Sequence, residues 1–439
     1  MATIRDLSAK LPPTLLRSTS WADGLRGIAA IFVVASHTSL CFATFLIPPS
    51  VVETGKSTLF QRPFFRLVIQ GQAWVAMFFV LLGFVNSLKP LQLARSGAVS
   101  EALGSLSTGA FRRTGRLLAR RVDVFWLRST APKPSVSLVA AVEDLVRELA
   151  GTWLYGENAY DQPQWALLPL FRGSLYVFMT LLALINATPR FRLCAETLLY
   201  SWSWATLDGG VGTNIFAGMM LAELSLNNCQ FSASLKPRAL FQTVPYGLVV
   251  LGFYLCSFPD QYAEQTAWSS QLAHIGDAIF PKGSNISRYF ASIGAQIVCL
   301  GAMLSPTLRR IFSSRVLLWL GSISFPLYLI HGPLMRSVLV YLLYWPMSLG
   351  FMPALLADGT PNPESYIPTP NTFRLRVILS LFFAFLLFIV RLWSIHIEPK
   401  MGAATNYLER VSRSWGNIRD FLGKGHGLLP ISIFKQASA

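Results

Sequence analysis

Two ionisable side chains stand inside an apolar run. The run Trp21–His37 reads WADGLRGIAAIFVVASH, with Arg26 near its start and His37 eleven residues on. Eleven residues are about three helical turns, so the two side chains share a face, and the rise between them is about 16 Å. That is about half of a bilayer's hydrocarbon core. Arg26 then falls at the boundary and His37 near mid-membrane, a depth at which ionisable groups are expensive and generally functional. An imidazole with its ordinary pKa near 6.5 is suited to taking a proton from a nucleophile. The plainer readings are a helix–helix hydrogen bond for His37 and interface anchoring for Arg26 with Asp23.

Further cations and one more histidine stand near apolar runs. Arg66 closes the stretch RPFFR, Arg112 and Arg113 sit in FRR, and Arg172 lies within an apolar run beside Gly173 and Ser174. Arg112 and Arg113 read equally as topology anchors in a basic loop. His331 occurs in SISFPLYLIHGPL, near the outer half of an expected span and two residues before Pro333. It could orient an acceptor or a partner side chain, or make a helix-end contact. His274, His396 and His426 carry no assignment. The five cysteines are isolated, without CxxC or Cys/His spacing, so no metal site and no disulfide framework is expected.

The elements that must position these residues are membrane helices. The chain is 53 % hydrophobic and 13 % charged, with a mean hydropathy of +0.46, whereas a soluble domain carries about 25 % charged residues. Nine apolar segments are legible, at 25–47, 73–88, 167–187, 193–206, 212–226, 240–257, 289–308, 316–344 and 374–396. The expected fold is an all-α polytopic transmembrane bundle: an N-tail over 1–24, a membrane domain over 25–397 and a basic tail over 398–439, with a short surface helix near Tyr407–Arg413. The formal charge of +16 collects in loops flanking the apolar runs, as the positive-inside bias requires. It therefore argues for no nucleic-acid partner.

Loop charges expose an inconsistency with nine spans. Lys89 to Arg121 holds seven basic residues against Glu101, whereas Val122 to Asp161 holds six acidic residues against Arg128, Lys133 and Arg147. The sign flips near residue 121, where no spanning run lies. One further crossing there would put Arg190, Arg192, Arg309, Arg310 and Arg315 on the cytoplasmic side with both tails. It would put Asp208, Asp260, Glu264 and Asp277 on the other. Ten spans are thus expected and nine are seen; a missed re-entrant segment is the alternative.

The order of motifs carries a resemblance. DGLRGIAA followed by VVASH37 resembles the opening helix of the acyltransferase 3 family, whose signature is an Arg and a His separated by ten residues. VAMFFVLLGF at 75–84 is similar to the family's second span, with Leu82 where a Ser usually stands. RPFFR, FRR and FPLYLIH resemble the fungal branch, and together these cover most of the chain. Two departures stand out. The third spanning helix that should follow FRRTGRL is missing, and Leu170 replaces a Glu found in many members.

The resemblance implies transfer of an acyl group from acyl-CoA, as co-substrate and without a cofactor, to a hydroxyl of a small molecule, lipid or sugar. His37 would be the general base and Arg26 would grip the phosphates of CoA at the cytoplasmic face. Arg66, Arg112, Arg113, Arg172 and His331 would bind substrate. An endomembrane is the expected location. A membrane transporter is the alternative, without the internal repeats transporters often show; another is an inactive relative whose second half is inverted.

Overall fold

In the computed structural model the described residues are 13–51, 55–96, 138–156, 158, 162–231, 239–345 and 370–414. They are all-helical, with no strand among them. The helices are α1 Pro13–Phe42, α2 Gly71–Arg95, α3 Leu138–Leu154, α4 Leu167–Leu184, α5 Pro189–Ala205, α6 Gly212–Phe231 and α7 Ala239–Cys256. They continue as α8 Ala267–Ile279, α9 Ile286–Leu304, α10 Pro306–Phe312, α11 Arg315–Leu334, α12 Val340–Tyr344, α13 Thr372–His396 and α14 Glu398–Ser414. The last contains the short tail helix expected at Tyr407–Arg413. The segment in which a spanning helix is expected to be missing, together with Arg112 and Arg113, lies outside the described residues.

Six helical stretches among the described residues are long and apolar enough to cross a bilayer, and Thr243–Cys256 is a shorter apolar helix. The expected segments at 193–206 and 212–226 are helical, as α5 and α6, but do not belong to that set. Helix α5 is short, at 17 residues, and α6 carries polar groups that are buried against protein. In α6, residues 212–219 are all buried, and Asn214 Nδ2 donates to Ser292 Oγ of α9 across 2.9 Å. Arg192 of α5 donates from Nε to Glu223 of α6 across 2.5 Å, and Arg95 of α2 pairs with the same carboxylate. A helix enclosed by other helices need not be apolar all round, provided its polar groups are paired.

Contacts at the helix ends fix the course of the chain. The basic end gathers Arg95, Arg192 and Glu223, together with the start of α1, where Ser20 Oγ lies 2.6 Å from Ser313 Oγ. At the opposite, far end Gln70 Nε2 donates to the Phe258 carbonyl (2.6 Å) and to Asp260 Oδ1 (2.9 Å). Trp21 packs on Phe84 and Phe32 on Trp74, so α1 and α2 are antiparallel. Helix α4 begins by the far end, where Tyr328 Oη donates to the Pro163 carbonyl (2.5 Å). Its exit is at the basic end, where Arg192 Nη1 donates to the Ala187 carbonyl (2.7 Å). Helices α2 and α4 therefore run the same way, and the chain regains the far end between Arg95 and Pro163. The second half is not inverted relative to His37.

Candidate active site

Helix α1 earns its place at the centre through small residues. A Cβ on Gly27 would stand 2.5 Å from the Gly321 nitrogen, and one on Gly321 would stand 2.2 Å from the Asp23 carbonyl oxygen. Only glycine permits that approach. The seam makes α1 and α11 parallel neighbours, with Arg26 beside Gly321 and His37 beside His331.

His37 Nδ1 and His331 Nε2 are 2.8 Å apart, and the two rings lie within 7° of parallel with centroids 5.1 Å apart. His331 Nδ1 is 3.1 Å from the Leu327 carbonyl oxygen. A carbonyl can only accept, so His331 carries its proton on Nδ1 and offers Nε2 as an acceptor. His37 must then donate from Nδ1, which makes its Nε2 the basic nitrogen. A backbone carbonyl thus sets the tautomer of one histidine, and that histidine sets the tautomer of the other. His331 is fully buried, and Ser36 is tied back to the Val33 carbonyl.

His37 borders a cavity of about 270 Å³ whose wall includes Val75, Trp165, Tyr328 and Gln70. Asp260 and Arg288 stand at its polar side. Asp260 Oδ1 accepts from Gln70 and also from the Ser287 hydroxyl. Desolvation lifts its carboxyl above the usual carboxylate range, with the Ser287 hydroxyl and the Arg66 charge pulling the other way.

The expected site residues separate into three groups. His37, His331 and Arg66 are brought together. Arg66 is buried at the cavity edge, its guanidinium donating to the carbonyls of Leu46 (3.1 Å), Ile47 and Pro48 (3.2 Å). Burial lowers that guanidinium to about 10, opposed by Asp260. Its hydrogen bonds hold backbone and brace the wall of the cavity. Arg26 and Arg172 do not join the cavity. Arg26 Nε donates to Ser324 Oγ (3.0 Å), and Nη2 to the Gly321 carbonyl (3.2 Å) and to Asp23 (3.0 Å). Arg172 is exposed on α4, and its charge acts on Asp208. Arg112 and Arg113 form the third group, outside the described residues. Leu170, at the position where many members of the resembling family carry Glu, is a half-buried core residue.

Sequence reasoning missed Gln70, Asp260, Arg288 and Tyr328. Tyr328 stands in the quoted FPLYLIH stretch; the others are loop or helix-end polar residues with no local signal. Buried Arg336 was also missed; it lies in the π-turn Met335–Leu339 that follows His331, close enough for its charge to act on His37.

A family model described as an acyltransferase domain matches residues 19–390. The chain is similar to the O-acetyltransferase PaAT-1 of Phomopsis amygdali, 28 % identical over 381 residues that cover 74 % of this chain and 73 % of the relative. It is similar to the acyltransferase R4 of a Phoma species, 24 % identical over 74 % of this chain and 84 % of the relative. The acyltransferase clz18 of Cochliobolus lunatus is 24 % identical over 75 % and 85 %. No solved structure matches the chain.

Proposed function

This chain belongs to that acyltransferase family, in its fungal-type branch, and from that premise we propose that it moves an acyl group from acyl-CoA to a hydroxyl of a small molecule, lipid or sugar in an endomembrane. The observation that carries the reading is the hydrogen bond from His37 to His331 at the wall of a cavity. In the reaction His37 Nε2 takes the acceptor's hydroxyl proton as its oxygen attacks the thioester carbonyl. The new C–O bond forms, the C–S bond breaks, and the departing thiolate takes the proton from His37. While His37 is an imidazolium, its Nδ1–H remains bonded to the neutral His331. That contact holds the ring and spreads the charge, the part a carboxylate plays in a serine hydrolase triad.

The donor and the acceptor enter from opposite ends on this reading. Arg26, half-exposed at the basic end, would meet the phosphates of CoA, and the pantetheine arm would span the roughly 16 Å of helix to His37. The acceptor occupies the cavity by Trp165 and Asp260. Nine crossings, with a tenth between Arg95 and Pro163, are the topology we propose for the membrane domain. It fits the common direction of α2 and α4.

The test compares microsomes that contain the wild-type chain or His37→Ala, each supplied with radiolabelled acetyl-CoA and then extracted into organic and aqueous phases. A labelled product made by the wild type should fall on the order of a thousandfold in the variant. Equal labelling by the two chains would sink the assignment of the base. No product specific to the wild type, with acetyl or longer acyl groups, would sink acyl-CoA as donor.

A further inference from the structure

The segment between α1 and α2 is a folded cap. Buried Gln61 donates from Nε2 to the carbonyls of Phe45 and Pro48, each across 3.0 Å, and Arg66 ties the carbonyls of residues 46–48. At Phe64 the backbone takes φ +66° and ψ −52°. Phe65 N–H donates to the Pro63 carbonyl across 2.9 Å, which makes a γ-turn that is strained for a bulky residue. Phe64 N–H is itself held by Ser257 Oγ at 3.0 Å.

These ties give the cap two faces. Leu46, Ile47 and Arg66 face inward to the cavity. Phe45, Leu59, Phe60, Phe64 and Phe65 face outward, each between 43 % and 60 % exposed. From Phe45 to Ile69 the charged residues are Lys56, Arg62 and Arg66 against Glu53; Lys56 and Arg62 are exposed. Apolar side chains scattered singly need no explanation, but five in one small cap do. The patch also continues onto the outward flank of α7. The Phe64 ring is 6.1 Å from that of Tyr254, and one turn earlier Val250 and Leu251 are exposed on the same apolar helix.

We propose that the outer face of this cap is a membrane-insertion surface whose partner is the phospholipid leaflet at the far end, and that the acceptor is an amphiphilic alcohol drawn from that leaflet. The second clause rests on the acyltransfer reading above; the first does not. The five apolar side chains enter the boundary of the acyl region, while Lys56 and Arg62 reach lipid phosphates. The cavity, whose inner wall is the same cap, then opens at headgroup depth.

Phe60→Trp in the full-length chain, reconstituted in phosphatidylcholine vesicles with or without brominated acyl chains, reads the depth of the cap. The difference from wild type isolates the added indole. We expect bromolipid to quench the added emission at least twofold and aqueous iodide to leave it unchanged. Lys282→Trp, on the exposed turn between α8 and α9, should show the reverse. Quenching of the indole at position 60 by iodide and not by bromolipid would overturn the insertion surface. Phe45→Trp must agree, so that a local fault at one position does not decide. For the acceptor, His37-dependent label in the organic phase supports an amphiphile, and label in the aqueous phase overturns it. A failure of quenching leaves acyl transfer standing, and a failure of labelling leaves the insertion surface standing.

Discussion

The two ends of the α1–α11 seam carry the two residues of one signature and are built in opposite ways. At the basic end the helices touch through glycines, and Arg26 spends its donors on α11 and on Asp23. At the far end the gap is filled by two imidazoles, bonded to each other and walled off from water on one side. One end fixes helices and the other fixes a proton. The spacing of eleven residues therefore joins two groups held in different settings, about three turns apart.

The comparison breaks first, if it breaks, at the far end. His37→Ala should lower acyl transfer on the order of a thousandfold while the protein is still extracted from membranes in wild-type amounts. His331→Phe should cost on the order of a hundredfold in kcat with little change in KM for the acceptor, because it removes the group that fixes the proton on Nδ1 of His37. His331→Gln, which can still accept from that nitrogen, should recover much of the loss; equal losses in Phe and Gln variants would mean that His331 only fills space. Arg26→Ala should act mainly on KM for acyl-CoA, by about tenfold, the size of one lost charge-assisted contact. A loss confined to kcat would put Arg26 into the chemistry and erase the contrast between the ends. Asp23→Asn should be the mildest change, within about 0.5 kcal/mol of thermal stability, since its pair with Arg26 is half-exposed.

What could be read from the sequence followed from rules that act locally. His37 stood out because an ionisable group at mid-membrane needs a reason, and His331 because it lay in a motif of known order. That the two meet, 294 positions apart, depends on α1 and α11 being parallel, which no local rule states. Asp260 and Gln70 were invisible because a polar residue at a helix end or in a loop is the ordinary case. Hydropathy alone does not separate α5 and α6 from longer spans, although α5 is only 17 residues long and residues 212–219 of α6 are buried in protein. Nothing local in the stretch at 48–72 distinguishes a cap from a connector, because its phenylalanines carry no period. The change of sign near residue 121 implies that Asp208 and Asp260 share an end opposite Arg192 and Arg309, and the packing of the described helices has that arrangement.

The glycine seam has a mechanical consequence. It lies near Gly27, ten residues before His37, so the imidazole stands about 15 Å from the point where the two helices are clamped. With the clamp as fulcrum, a tilt of about 4° carries the ring about 1 Å sideways at that radius, a displacement that can cost about a hundredfold in rate. A spanning helix accommodates a mismatch with the thickness of its bilayer by tilting. Catalytic rate in this protein should therefore read out the elasticity of its host bilayer, through a joint that itself touches no substrate.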